Sequence, residues 1–154
     1  MNRFSLCSLA VLLSLAPSLR ATEPVSISPA ALDAYYQIAD ALASDTTTGV
    51  VENARAFAAA VKDPMLQLAA TNVAAATQVD LSKTREMFKM LNSVFANGIK
   101  FGDYSLVQGT TYRAYCPMER AEWLQPNKAP IRNPYHGSEM LECGEVLETY
   151  AAKK

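Results

Sequence analysis

Five side chains that can bind a soft metal ion stand between residues 116 and 143. Cys116 and Met118 lie at one end of this stretch, Met140 and Cys143 lie at the other, and the only histidine of the chain, His136, lies between them. Thiolate sulfur binds Cu(I), Ag(I), Zn(II) or Cd(II), and thioether sulfur adds selectivity for the soft monovalent ions. An imidazole nitrogen is a further common metal ligand. These residue types predict a soft-metal site, provided that the segment folds back on itself.

The spacing of the sulfur atoms supports this interpretation. Cys116 and Met118 are two residues apart, so in an extended backbone their side chains point to the same side. Met140 and Cys143 are three residues apart and share one face of a helical turn. A segment that folds back therefore brings two sulfur donors from each end together. The pattern is less specific than a pair of CxxC motifs.

A structural disulfide is the alternative interpretation of the same residues. Two cysteines in an exported protein usually oxidise, and a bond between Cys116 and Cys143 stabilises the fold by about 3–4 kcal/mol on the chain-entropy model. Met118 and Met140 are then core residues, as methionine often is. His136 is then an ordinary hydrogen-bonded or exposed side chain. The sequence leaves both interpretations open.

Residues 1–21 are predicted to be a cleaved signal peptide. Arg3 gives a short positive region, and residues 4–16 form an apolar stretch that is too short to span a bilayer. Small residues follow, which allows cleavage after Ser18 or after Ala21, and we expect it after Ala21. The chain is therefore expected to be exported to the periplasm.

The charge of the exported chain argues against nucleic acid as a partner. Of the 14 basic side chains, Arg3 and Arg20 leave with the signal, so 12 remain against 15 acidic ones, a net charge of about −3. Nucleic-acid binding needs a basic surface. The remaining length suits one domain, and no later segment is apolar enough to cross a membrane.

Four amphipathic segments predict an all-α fold, with an antiparallel four-helix bundle over residues 29–100 after a short lead-in at 22–28. Ser28-Pro29 is typical of an N-cap followed by proline at the first helical position, which predicts a first helix over 29–43. The second segment is rich in alanine, the best helix former. Asp63-Pro64 repeats the start signal and predicts the third helix.

The fourth helix is expected to begin at Asp80 or Ser82 and to stop at Asn97-Gly98. Arg85 lies on its apolar stripe. This side chain either reaches a carboxylate or carbonyl group of the C-terminal segment or extends into solvent along its own aliphatic part, and we expect the second.

The remaining segment, residues 101–154, is expected to be rich in turns and to pack on the bundle. Residues 104–108 and 110–115 favour short strands, and the prolines that follow oppose long regular structure. One helical turn is predicted over 137–142, and a short closing helix over 145–151.

We expect no enzymatic activity. Thiol catalysis needs an activating base, and His136 beside Cys116 or Cys143 is the only such combination. The chain has no phosphate-binding glycine loop, no HExxH motif and no nucleophile elbow.

The same segment resembles a bacterial exported domain family of unassigned function. The family signature is a YCPM box, a WL pair and NPY-x-G-x-x-ML-x-CGEV, matched here by residues 115–118, 123–124 and 133–146. Residues 85–88 are similar to the family's Arg-x-x-Phe helix, and the resemblance covers roughly residues 30–148. The family occurs as stand-alone exported proteins and as a C-terminal extension of periplasmic adaptors of RND-type heavy-metal efflux pumps.

The resemblance implies a helical domain that is linked to copper or silver handling. The family's motif falls on Cys116, Met118, Met140 and Cys143, which implies Cu(I) or Ag(I) as the bound ion and an efflux adaptor or another envelope protein as the partner. Two positions depart from the family pattern. Glu119-Arg120 stands where small residues are common, and His136 stands where the family usually has an aromatic residue.

Overall fold

The computed structural model describes residues 23–152. The predicted signal peptide, residues 1–21, lies outside the described residues. None of the helices in the described part combines the length and the apolar character that crossing a bilayer requires.

Local capping signals set the starts of the helices. Ser28 accepts a hydrogen bond from the Ala31 amide on its hydroxyl at 3.2 Å, and Asp63 accepts one from the Met65 amide at 2.8 Å. These bonds satisfy amide groups that have no partner within the helix. The described helices are α1 Pro29–Ala43, α2 Val50–Ala60, α3 Pro64–Ala76 and α4 Leu81–Phe101.

Helix α4 begins as expected but ends later than predicted. Asp80 caps it by accepting a hydrogen bond from the Lys83 amide at 2.6 Å. The predicted stop at Asn97-Gly98 is wrong, because the helix continues to Phe101 and ends at Gly102 in the left-handed conformation. Gly98 serves close packing instead, since a Cβ atom there would lie 2.1 Å from the ring of Tyr104.

Five strands form two sheets in the described residues. A small parallel sheet pairs β1, Val25–Ile27, with β2, Tyr104–Leu106, so the predicted lead-in holds a strand. The second sheet is antiparallel and has the order β4-β3-β5. Its strands are β3 Thr110–Cys116, β4 Ala121–Gln125 and β5 Glu145–Ala151, and a single 3-10 turn covers Gly137–Glu139.

The predicted all-α fold is wrong, because the described chain is a mixed α/β structure, and a four-helix bundle is not shown. The predicted closing helix over 145–151 is strand β5. Its residues alternate between exposed and half-buried and pair with β3, which uses their backbone groups in a sheet. Strand β4 was not predicted, because the prolines in this segment were expected to oppose regular structure. Pro117 and Pro126 flank the strand without entering it, so it forms between them.

The helices and the larger sheet share one hydrophobic core. Tyr35 of α1 packs against Phe88 and Phe95 of α4, with ring centroids 5.4 and 5.2 Å apart. Trp123 and Leu124 of β4 are fully buried in the same cluster. The C-terminal segment is therefore an integral part of the core.

A buried polar network joins the helices to the C-terminal segment. The Tyr135 hydroxyl donates to the Glu122 carbonyl at 2.6 Å and accepts from the Asn92 side chain at 3.0 Å. Asn92 also accepts a hydrogen bond from the Tyr35 hydroxyl, which in turn accepts from the Leu124 amide at 2.9 Å. Buried polar groups are costly unless they are paired, so this network fixes how α1, α4 and β4 meet.

Candidate functional site

The two cysteines predicted to act together do meet. Cys116 is the last residue of β3, and its partner across the hairpin is Ala121 of β4. Cys143 lies in the turn just before β5. Their Sγ atoms are 3.1 Å apart, and both residues are free thiols.

The two sulfurs differ in access. Cys116 is fully buried, whereas Cys143 is half-buried. Gly144 lets the chain carry Cys143 close to the sheet, because a Cβ atom at this position would lie 2.7 Å from the Trp123 ring and 3.1 Å from the Tyr115 carbonyl. Only glycine allows this approach without a shift in the sheet.

Asn133 holds the loop that carries Cys143. Its side-chain nitrogen donates to the Cys143 carbonyl at 2.8 Å, and its side-chain oxygen accepts from the Tyr135 and His136 amides at 2.8 and 3.3 Å. Its own amide donates to the Leu141 carbonyl at 2.7 Å. Because Asn133 is fully buried, its hydrogen bonds are shielded from water and fix the loop firmly.

Hydrogen-bond donors surround Cys116. Burial raises the pKa of the Cys116 thiol, but hydrogen bonds from Cys143 and from the Glu119 and Met118 amides outweigh burial and leave this pKa below its usual value. The Glu119 amide lies 3.5 Å from the sulfur. The environment therefore favours a thiolate at Cys116.

Cys143 has the opposite tendency. Its hydrogen bond with Cys116 and, to a lesser degree, partial burial raise the pKa of the Cys143 thiol. The contact between the two sulfurs therefore contributes to both shifts in pKa.

The two predicted thioether ligands lie in the turn that follows Cys116 and in the turn that precedes Cys143. Met118 lies in the β3–β4 hairpin turn and is 68 % exposed. Met140 is half-buried at the end of the 3-10 turn, where its carbonyl accepts from the Cys143 amide at 3.0 Å. This hydrogen-bonded turn replaces the helical turn predicted for Met140 and Cys143.

His136 lies beside Glu119 rather than beside the thiols. Its Nε2 atom is 3.7 Å from a Glu119 carboxylate oxygen and is buried with no hydrogen-bond partner in the described chain. Glu119 also pairs with Lys89 at 2.9 Å. In residues 23–152, no three His, Cys, Asp or Glu side chains are arranged to hold a metal ion, so His136 does not complete a set with the two cysteines.

Arg85 anchors the loop from the helical side. It donates to the Pro134 carbonyl at 2.9 Å and to the Leu42 carbonyl at 2.6 Å, and it pairs with the Asp45 carboxylate at 2.7 Å. Our expectation that Arg85 extends into solvent is therefore wrong. Asp45 also accepts from the Ser138 amide at 2.8 Å. The side chain leaves the apolar stripe because carbonyl groups of two other segments converge on it.

Sequence reasoning missed Asn133 and Asp45 as residues that build the site. Asn133 is one position of the family signature, and Asp45 lies in the connector between α1 and α2, for which the sequence predicted no role. The first residue of an Asn-Pro-Tyr turn is often a side-chain acceptor for the following amides, and that signal could have pointed to Asn133. Nothing in the sequence near Asp45 indicates its partner on α4.

A separate cavity of about 240 Å³ lies between α1 and the loop after β4. Its walls include Tyr36, Asp40, Trp123, Pro126 and Arg132, and Arg132 pairs with Asp40 at 2.6 Å across its rim. It does not include either cysteine.

No family model, no curated protein and no solved structure matches this chain. The family resemblance noted in the sequence therefore stays a prediction.

Proposed function

We propose that this protein is a periplasmic, non-enzymatic soft-metal-binding protein in which the Cys116 and Cys143 thiolates hold Cu(I) or Ag(I). One observation carries the proposal: the two sulfurs come from distant parts of the C-terminal segment and lie 3.1 Å apart, and Cys143 is only half-buried. Thiolates are the ligands that soft monovalent ions prefer.

The pair needs only a small adjustment to hold an ion. A metal–thiolate bond of about 2.3 Å sets the two sulfurs at least roughly 3.8 Å apart, so the Cys143 turn must move outward by about 1 Å. Met118 and Met140 occupy the turns next to the pair, and we propose them as thioether ligands that join on binding. His136 remains an optional ligand, although the described residues do not group it with the two cysteines, so it joins them only if the loop that carries it moves.

The biological role follows from the predicted signal peptide and from the family resemblance. We propose that the protein binds the ion in the periplasm and passes it to, or receives it from, an RND-type efflux adaptor or another envelope protein. The helices then form the scaffold and the partner-binding surface.

A Cu(I) competition titration against a chromophoric chelator tests the metal site. The reduced protein is compared with a Cys116→Ser/Cys143→Ser double variant, and both are purified from the periplasm, where the predicted cleavage has removed Cys7. We expect one ion per chain to bind tightly to the first protein and not to the second. Equal binding by both proteins rules out the proposed site, provided that circular dichroism shows that the variant is folded.

Single variants then define the ligand set. We expect Met118→Leu and Met140→Leu each to weaken Cu(I) binding about tenfold, because each removes one sulfur donor. Leucine has a volume similar to that of methionine, so packing should change little. His136→Ala tests the optional ligand, and unchanged affinity removes it from the set. Met90→Leu on α4 is the matched control, because Met90 is an exposed methionine outside the loops that carry the site.

A disulfide-stapled interaction module is the second candidate, and the same distance favours it. The sulfurs need to approach by only about 1 Å to reach a disulfide bond length. The bond then pins the loop that Asn133 organises onto β3, and a protein partner binds elsewhere. Thiol titration of protein purified from the periplasm separates the two candidates. Two free thiols exclude the stapled form. The absence of free thiols argues against thiolate ligation in the resting state.

A further inference from the structure

The two cysteines have unequal access to molecules in solution. Cys116 is fully buried at the end of β3, under the loop that carries Cys143. Cys143 lies in a turn and is half-buried. A reagent that approaches from solvent therefore meets Cys143 before Cys116. The Cys116 sulfur is 3.1 Å behind it, within reach of Cys143 but shielded from solvent.

We propose that the pair carries out directional thiol–disulfide exchange with small disulfides and thiols such as glutathione, with Cys143 as the entry sulfur and Cys116 as the resolving sulfur. This activity goes beyond metal binding and does not rest on it. It goes beyond a structural staple as well, because it requires the bond to form and to break in the folded protein.

Oxidation proceeds in two balanced steps. The Cys143 thiol loses its proton to solvent, and the resulting thiolate attacks one sulfur of the external disulfide, forms a mixed disulfide and releases the first external thiolate. The Cys116 thiolate then attacks the Cys143 sulfur, forms the Cys116–Cys143 bond and releases the second external thiolate. The protein loses two electrons and two protons, and the external disulfide takes them up as two thiols.

Reduction reverses the same path. An external thiolate attacks the accessible Cys143 sulfur, and Cys116 is the leaving thiolate. The surroundings of Cys116 suit this role, because the Glu119 amide points to its sulfur at 3.5 Å and stabilises negative charge there. The hairpin turn that supplies this amide is fixed by the pairing of Cys116 with Ala121.

The experiment exposes the folded, reduced protein and its single variants to glutathione disulfide and maps each cysteine by mass spectrometry. We expect Cys116→Ser to hold a lasting glutathione adduct on Cys143. We expect Cys143→Ser to stay unmodified at Cys116 until guanidinium unfolds it. The unsubstituted protein should give the Cys116–Cys143 bond, with a glutathione adduct on Cys143 only at early times. Peptide mapping assigns each adduct to Cys116 or Cys143.

Two results overturn the proposal. The first is modification of Cys116 in folded Cys143→Ser at a rate within about threefold of that of Cys143 in Cys116→Ser. The second is an unsubstituted protein in which a glutathione adduct persists and no internal bond forms. If a serine variant is unfolded by circular dichroism, acid quenching of the unsubstituted protein at early times decides the order instead, and an early adduct on Cys116 contradicts it.

The metal proposal and the exchange proposal are tested independently of each other. Loss of Cu(I) binding in the presence of normal exchange leaves the directional chemistry intact, and tight Cu(I) binding without exchange leaves the metal site intact.

Discussion

The side-chain nitrogen of Asn133 donates a hydrogen bond to the Cys143 carbonyl at 2.8 Å, from a position with no exposure to solvent. This contact joins the start of the Asn-Pro-Tyr turn to the residue that carries the accessible thiol. The turn and the thiol are ten residues apart in sequence. This contact closes the loop from Asn133 to Cys143 and holds Cys143 where its sulfur reaches that of Cys116.

Replacing Asn133 by Ala is expected to destabilise the protein. The change leaves the Cys143 carbonyl and the Tyr135 amide without their side-chain partner, and each unpaired buried group costs about 1–3 kcal/mol. We expect the free energy of unfolding to fall by about 3 kcal/mol, measured by urea denaturation. We also expect formation of the Cys116–Cys143 bond to slow severalfold.

Asn127→Ala is the matched control for Asn133→Ala. Asn127 lies in the exposed loop after β4, and only its carbonyl accepts a hydrogen bond, from Gln125. Removal of the Asn127 side chain should change the free energy of unfolding by less than about 0.5 kcal/mol. Equal effects of the two variants would contradict the role assigned to Asn133.

Gly137→Ala is expected to break the contact between the loop and the helices. Gly137 has a φ angle of 56°, and a Cβ atom there would lie 2.0 Å from the Asp45 carboxylate and 2.4 Å from the Arg85 guanidinium. The variant therefore combines left-handed strain of about 1–2 kcal/mol with the loss of an ion pair. We expect its melting temperature to fall markedly in a thermal denaturation experiment.

Gly109→Ala separates the strain from the clash. Gly109 has a φ angle of 83°, but nothing lies within 4 Å of a Cβ atom there. It should show the strain alone, about 1–2 kcal/mol. A Gly137→Ala variant that is no less stable than Gly109→Ala would show that the Arg85–Asp45 contact is dispensable.

Asp45 is expected to make the stability depend on pH in the acid range. Hydrogen bonds from Ser138 and Arg85 hold the pKa of the Asp45 carboxyl well below its usual value. The contribution of Asp45 is therefore complete above its unfolded pKa of about 3.9 and is lost as the pH falls below that value. We expect Asp45→Asn to be less stable than the unsubstituted protein at pH 7, and the difference to narrow steadily as the pH falls below about 3.9.

Urea midpoints at several pH values measure this difference. Asp33→Asn on α1 removes a similar charge from an exposed position and serves as the control. If Asp45→Asn stays less stable by the same amount at low pH, the carboxylate is not the source of the effect.

The buried network predicts a cost for Tyr135→Phe. This change removes the donor to the Glu122 carbonyl and an acceptor for Asn92, while it keeps the aromatic ring. We expect a loss of about 1–2 kcal/mol in the free energy of unfolding. Tyr112→Phe on β3 is the control, since its hydroxyl makes no hydrogen bond within the described chain, and its cost should be smaller.

Local signals in the sequence determined the helices. Ser28, Asp63 and Asp80 start α1, α3 and α4 as predicted, because an N-cap acts on amide groups two or three residues away. The sequence also singled out Cys116 and Cys143 as a pair from residue type alone, and the structure places their sulfurs together.

Only the tertiary structure decided the strand at residues 145–151 and the environment of the site. Strand β5 forms because β3 offers it an antiparallel partner, which a short window of sequence does not reveal. The Arg85 side chain does not extend into solvent, because it donates hydrogen bonds to the Leu42 and Pro134 carbonyls and to the Asp45 carboxylate. These contacts join residues more than 35 positions apart, so a local pattern cannot encode them. Residue type was enough to identify the two cysteines as a pair. Which of them is buried depends on long-range contacts, so only the tertiary structure decided it.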